Sequence, residues 1–334
     1  MRRNRDAGFT LAEMLIALAL TAIVLSAAIE TFNRATDVFS SSRRVSDTDE
    51  TLRAAIALMV RDFIQTGRGI PPGGIPVPSG AGATAVKRPG PGHLTFAGST
   101  VLPAVSPGGG LGPSVIGVTT DLVNVVYADQ TLNLGQVPLA SISANGERIT
   151  VDASTNISGP TGVHVGDLLL FSNAIGHAVG MVTSLPGDHE IVLAPGDPLN
   201  LNQPAAAQGT ILNLRQAAGT YPSTTVTRIL LVSYYVDSTT DLGLPRLIRQ
   251  VNAGQPLAIA LGAENLQMSY DFVDEVNNPT NQKSTPPANS PNQIRKVNLF
   301  LATRSLEKSA RTNDYFRNSM STGVGLRSLS AGDR

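Results

Sequence analysis

The sequence predicts an α+β protein: a long N-terminal α-helix, membrane-crossing in its first half, packed on a β-rich globular head of antiparallel sheets. Two observations carry this. Residues 9–66 contain neither Gly nor Pro and open with a long apolar run. Beyond residue 66 the chain breaks into short β-branched runs separated by turn residues, in a sequence with 32 Gly and 22 Pro.

The bulk properties narrow the function classes. The 334 residues are enough for a substantial core, and 42% of them are hydrophobic, which argues against general disorder. The 25 basic and 25 acidic residues balance, so no overall field attracts nucleic acid, and no nucleic-acid partner is expected. With no cysteine, disulfides, thiol nucleophiles and Cys-ligated zinc are excluded.

Residues 1–8, MRRNRDAG, form a short basic leader, with Arg2, Arg3 and Arg5 against Asp6. Phe9 to Ile29 follows as 21 residues with a single charge, Glu13. As a helix at ~1.5 Å per residue this run spans about 30 Å, the thickness of a bilayer's hydrocarbon. The basic flank places the N-terminus in the cytoplasm and the remainder across the membrane. Three other readings stand beside this one: a secretory signal cleaved near Ser26-Ala27-Ala28, a plain membrane anchor, and a buried core helix. Glu13 discriminates among them. A carboxylate inside a span costs about 2.5–3.5 kcal/mol, and neither a signal peptide nor a simple anchor gains from it.

Gly8-Phe9-Thr10-Leu11-Ala12-Glu13 and the apolar run resemble the signal of type IV prepilins and type II secretion pseudopilins. The resemblance implies cleavage between Gly8 and Phe9 by the prepilin peptidase, a membrane aspartic protease, and N-methylation of Phe9. Glu13 then takes the family's assembly position and is expected to pair with the Phe9 amine of a neighbouring subunit. The implied partners are this peptidase, other pilins or pseudopilins, the inner-membrane assembly platform, and membrane lipid before assembly. No cofactor, metal or catalytic residue is implied.

Helical periodicity continues past Glu30. Leu52, Ile56, Met59, Val60 and Phe63 make an amphipathic stripe, so one helix is expected from about 10 to 66, with a possible loosened turn at 40–42. Gly67, Gly69 and Pro71-Pro72 stop it. The expected organisation is a leader at 1–8, a transmembrane or filament-core half at 9–29, an amphipathic periplasmic half at 30–66, and a head at 67–334. The head carries a Gly/Pro-rich and β insertion at about 71–224. Major pilins often have a proline near the end of the apolar half, and this chain has none there.

Residues 67–115 read as irregular loops around a strand at 93–96. Strands are then expected at 115–119, 122–127, 148–151, 167–171, 178–183, 190–193, 210–214, 225–236, 244–251, 263–273 and 294–304. Residues 165–193 suggest a small barrel-like subdomain. The RDFIQTGRG segment at 61–69, with the PRLIRQ, ENLQMSYDF and RKVNLFLATR strands in that order, resembles PilW-like minor pilins, relatives of the J-type pseudopilin.

Chemistry-bearing constellations are scarce. His93, His164, His177 and His189 show no metal-ligand spacing, and neither GxSxG nor a phosphate-cradling loop occurs. Asp271, Asp274, Glu275, Asn277 and Asn278 form an oxygen-rich cluster suited either to calcium or to a plain polar turn. The chain is therefore expected to be a non-enzymatic minor pilin or pseudopilin. A filament-tip adhesin or cargo-recognition module is the alternative, and a membrane-anchored enzyme a more distant one.

Overall fold

The computed structural model describes residues 10–92, 94–96, 98–129, 139–217, 219–241, 243–273, 279–283, 293–309 and 311–330. One 55-residue helix, α1 (Leu11–Gln65), leads into a head built of antiparallel sheets. Its start follows from a T-x-x-E pattern. The Thr10 side chain accepts from the Glu13 backbone N–H at 3.3 Å, and the Glu13 carboxylate accepts from the Thr10 N–H at 2.9 Å. This capping box satisfies donors that the first helical turn leaves open. The helix runs through residues 40–42 without a break. It ends at Thr66, after which Gly67 turns the chain with φ +81 and donates its N–H to Val126 O at 2.9 Å. The positive φ favours glycine at this turn, and a side chain there would have to displace the Leu329 side chain, 2.7 Å from its Cβ.

Only the last third of α1 is buried. Thr48, Leu52, Ala55, Ile56, Met59, Asp62 and Phe63 face the head. Leu52, Met59 and Phe63 are fully enclosed, each contributing about 1.5–3 kcal/mol of apolar burial.

The largest sheet has seven strands, arranged around the 13-residue β13 (Thr225–Asp237). One edge of β13 pairs first with β9 (Leu168–Ser172) and then with β14 (Arg246–Val251); the other pairs with β6 (Leu122–Ala128). β3 (Val105–Gly108), β10 (His177–Met181) and β15 (Leu257–Leu261) extend it. A four-stranded sheet holds β16 (Ala263–Val273), β17 (Pro279–Lys283), β18 (Ile294–Lys308) and β19 (Tyr315–Gly325), in the order 17-16-18-19. The helix lies on β18 and β19, and its buried face joins one core with Val123, Tyr127, Val232, Tyr234, Leu266, Val297 and Leu299. A smaller sheet contains β7 (Ser141–Ile142), β8 (Arg148–Thr150), β11 (Ser184–Gly187) and β12 (Glu190–Val192), with a core of its own around Ile149, Ile191 and Phe171. Two-stranded pairs, β1 (Ile75–Pro76) with β2 (Val101–Leu102) and β4 (Ser114–Val115) with β5 (Val118–Thr119), complete the head.

Several expectations are corrected. Residues 210–214 form a 3₁₀ turn, Ile211–Leu214, not a strand: the Thr210 N–H and hydroxyl both donate to Asn213 Oδ1 at 2.9 Å and close it. Residues 115–119 are a hairpin folded at Ile116 and Gly117, both with positive φ. In place of a strand at 93–96 there is one isolated bridge, Lys87 to Thr95, across the Pro89-Gly90-Pro91-Gly92 turn; His93 lies outside the described residues. Residues 165–193 do not close on themselves, because β9 pairs with β13 in the large sheet while β12 pairs with β8 in the small one.

Candidate functional site

Two places on α1 concentrate polar groups where apolar ones are expected: its N-terminus and its junction with the head. Of the N-terminal residues, Gly8 and Phe9 lie outside the described residues, and Glu13 is visible. Its carboxylate accepts from the Thr10 N–H and, at 3.0 Å, from the Thr10 hydroxyl. The intramembrane charge is thus held by its own helix in the single chain. The T-x-x-E spacing of Thr10-Leu11-Ala12-Glu13 is the sequence signal for this capping role. From Leu11 on, the helix is long and apolar enough to cross a bilayer, and none of that apolar window is covered by the head.

The junction centres on Asp62, whose side chain is 1% exposed. It sits one residue before Phe63, on the face that the head covers. Three strands of the large sheet aim at it. Arg249 of β14 reaches Asp62 Oδ2 with Nε at 2.7 Å, the Tyr234 hydroxyl of β13 donates to the same oxygen at 2.6 Å, and the Tyr127 hydroxyl of β6 donates to Oδ1 at 3.2 Å. Register explains the convergence. Tyr234 and Arg249 are direct cross-strand partners, so both side chains leave the same face of the sheet. Phe63 stacks against Tyr234 with ring centroids 6.3 Å apart and planes at 20°.

The electrostatics match the geometry. Burial, reinforced by the Asp62 charge, pushes the Tyr127 phenol up to about 12. The same two causes raise Tyr234 far above the ordinary tyrosine value, so both hydroxyls stay protonated and donate. Burial disfavours the Arg249 charge, but its hydrogen bond and ion pair with Asp62 outweigh burial and raise it well above the ordinary guanidinium range. The cluster is closed off from solvent at Asp62. What it does is fix the helix to three strands at one point.

The sequence drew attention to the RDF segment, the Tyr-rich strand and the PRLIRQ strand, but not to their meeting. The available signal was an aspartate inside the stripe Ile56, Met59, Phe63. A second buried cation, Arg88, is satisfied differently: it donates to Asn124 Oδ1 and to the carbonyls of Ser106 and Pro107, tying the Gly/Pro-rich loop to β3 and β6.

The other candidates disperse. His177 Nδ1 is 2.9 Å from Ser172 Oγ, His189 Nδ1 is 2.9 Å from Thr155 O, and His164 lies 3.9 Å from Asp167. Asp271 pairs with Lys296 at 3.3 Å, whereas Asp274, Glu275, Asn277 and Asn278 lie outside the described residues. Among the described residues no three or more acidic or histidine side chains are grouped to hold a metal.

Comparison with known proteins bears on the N-terminus. Residues 3–29 match the prokaryotic N-terminal methylation motif. The chain is similar to one solved structure, a type IV-like pilin from Thermus thermophilus, TTHA1219, at 12% identity over 48% of this chain and 84% of that one. The TM-score is 0.19, and a superposition that poor supports no inference about the head. No curated protein matches the chain. The motif runs directly into the apolar helix α1, so the N-terminus of this chain is similar to that of type IV prepilins and pseudopilins.

Proposed function

We propose that this chain is a minor pilin or pseudopilin subunit, of the PilW-like kind, that enters or primes a type IV pilus or a type II secretion pseudopilus through α1. The carrying observation is the methylation motif at 3–29 running directly into a helix whose first half is uncovered among the described residues. In this reading the chain sits in the bacterial inner membrane with its head in the periplasm. Prepilin peptidase cuts between Gly8 and Phe9 and methylates Phe9, and the assembly platform then extracts the helix into the filament.

Glu13 has two successive tasks. In the lipid-embedded chain it caps its own helix through Thr10. During assembly it meets the cationic Phe9 amine of a neighbour, an attraction that strengthens as helices pack and water leaves. The Asp62 cluster serves the same purpose mechanically, since force applied along α1 reaches the head where helix and sheet are joined. The role is structural, and no reaction is assigned to the head.

Glu13→Ala tests the assembly step. Membrane insertion and Gly8–Phe9 cleavage should persist, while recovery of the chain in sheared filament fractions should fall. Undiminished incorporation of the variant would remove Glu13 from the assembly role.

A further inference from the structure

The β18–β19 hairpin reaches past the rest of the head along α1. Asn318 of β19 donates to Asp49 Oδ1 at 3.4 Å, which fixes the level of the hairpin on the helix. From Asn318 it runs five more residues to its turn at Asn313, about 16 Å at ~3.3 Å per residue. That length equals about eleven residues of helix. The turn is closed by the Ser309 N–H on Asp314 O and the Asn313 N–H on Ser309 O, both at 2.8 Å, with Asn313 at φ +57. Between this tip and the helix lies a slot of about 900 Å³. Ser309 and Arg311 wall it on one side, and residues of α1 from Glu30 to Val45 wall it on the other.

Helix rise fixes the depth of the slot against the membrane. The apolar run ends at Ile29. The headgroup layer adds about 5–8 Å to the hydrocarbon on each side. At ~1.5 Å per residue, Arg34 stands about 7.5 Å past Ile29 and Asp37 about 12 Å past it. The base of the slot therefore lies among lipid headgroups, with the hairpin tip beside it.

The slot carries both signs of charge. Arg34 is paired with Glu30, but both side chains are mostly exposed, at 78% and 64%, and such a pair is exchanged for another at little cost. Arg311 and Asp37 are exposed, and neither has an ion-pair partner among the described residues. A purely anionic ligand is repelled by Glu30 and Asp37, and a purely cationic one by Arg34 and Arg311. A zwitterion with its phosphate nearer the membrane and its amine two carbons farther out meets these charges in the right order. Arg34 precedes Asp37 by three residues, about 4.5 Å along the helix. Guanidinium groups suit phosphate through paired N–H donors. A primary ammonium donates hydrogen bonds to the carboxylate, which a trimethylated one does not.

We propose that this slot holds the headgroup of a phospholipid bearing both a phosphate and a primary amine, the phosphatidylethanolamine class. Arg34 and Arg311 take the phosphate, and Asp37 takes the amine. The bound lipid ties the hairpin tip to the outer face of the membrane and sets the height and rotation of the head before assembly. The proposal rests on the membrane reading above and adds to it a site and a lipid class.

The test reconstitutes the full chain in nanodiscs of phosphatidylethanolamine, phosphatidylglycerol and phosphatidylcholine in equal parts. Native mass spectrometry then counts the lipid that stays bound once the disc is removed. Phosphatidylethanolamine should be retained above the other two. Arg311→Gln should lower its retention about threefold, the worth of one exposed ion pair. Asp37→Asn should erase its advantage over phosphatidylcholine. The chain has no cysteine, so a nitroxide on Thr312→Cys reports the tip alone. Its motion should slow in discs of phosphatidylcholine and phosphatidylethanolamine relative to discs of phosphatidylcholine and phosphatidylglycerol. Equal retention of the three lipids, a preference for phosphatidylglycerol, or a label indifferent to composition would overturn the proposal. A chain that does not enter nanodiscs at all shows that the membrane reading has failed; one that enters and retains the three lipids alike shows that only the slot proposal has.

Discussion

Asp62→Asn keeps the shape of the side chain and removes its charge. Arg249 is then left with no carboxylate beside it, in a site where its side chain is only 16% exposed. Breaking a buried ion pair on one side typically costs about 3–5 kcal/mol, because the surviving charge is stranded. The residual exposure of Arg249 lets water screen part of that charge, so the lower end, about 3 kcal/mol, is expected. The Tyr234 and Tyr127 hydroxyls can still donate to the asparagine oxygen and contribute little to the loss. The assay is urea unfolding of the detergent-solubilised full chain, followed by circular dichroism, for wild type, Asp62→Asn, Arg249→Met and the double variant. A thermodynamic cycle then separates the pairwise term. Arg249→Met should also be costly, since it strands Asp62. The double variant should recover most of the loss, because neither charge is then left buried without its partner. A single-variant cost below about 1 kcal/mol, or a double variant that simply sums the singles, would refute the view that these groups act as one latch.

Alkaline pH should loosen the same region. An ordinary tyrosine ionises near 10, while Tyr127 and Tyr235 are each pushed up to about 12, chiefly by burial and further by Asp62 and Asp237 respectively. Because the unfolded chain releases these protons first, the stability they contribute is complete below pH 10 and is lost as pH rises from 10 towards 12. Phenolate absorbance and circular dichroism should therefore change together in that window; full titration near 10 with the fold intact would contradict this. Gly209→Ala should destabilise more than Gly117→Ala. Both positions have positive φ, but a Cβ at 209 would lie 2.0 Å from Val77 O, while nothing lies within 4 Å of one at 117. The backbone term alone is about 1–2 kcal/mol at each site, so 117 reports that term and 209 exceeds it in a melting experiment.

Where local chemistry decides an element, the sequence was enough. The helix from 10 to 66 follows from the absence of Gly and Pro and from the apolar stripe, and its end follows from Gly67. The long β13, β16 and β18 are hydrophobic enough to read as strands from either face. By contrast, β19, with Asn318, Ser319, Ser321 and Gly323, has little intrinsic strand character and exists because β18 offers it a template. Residues 210–214 read as a strand by composition but turn because Asn213 caps them. The Asp62 cluster was invisible for a related reason. Its other members lie 65 to 187 positions from Asp62 in the chain, and only sheet register brings them together.

Mass spectrometry of the mature chain, isolated from the cells that make it, tests the assignment most directly. The expected polypeptide lacks residues 1–8 and begins at Phe9 carrying one N-methyl group. A chain beginning at Met1, or one trimmed near Ala28, would contradict it, because in the first Phe9 has no free amine and in the second both Phe9 and Glu13 are gone.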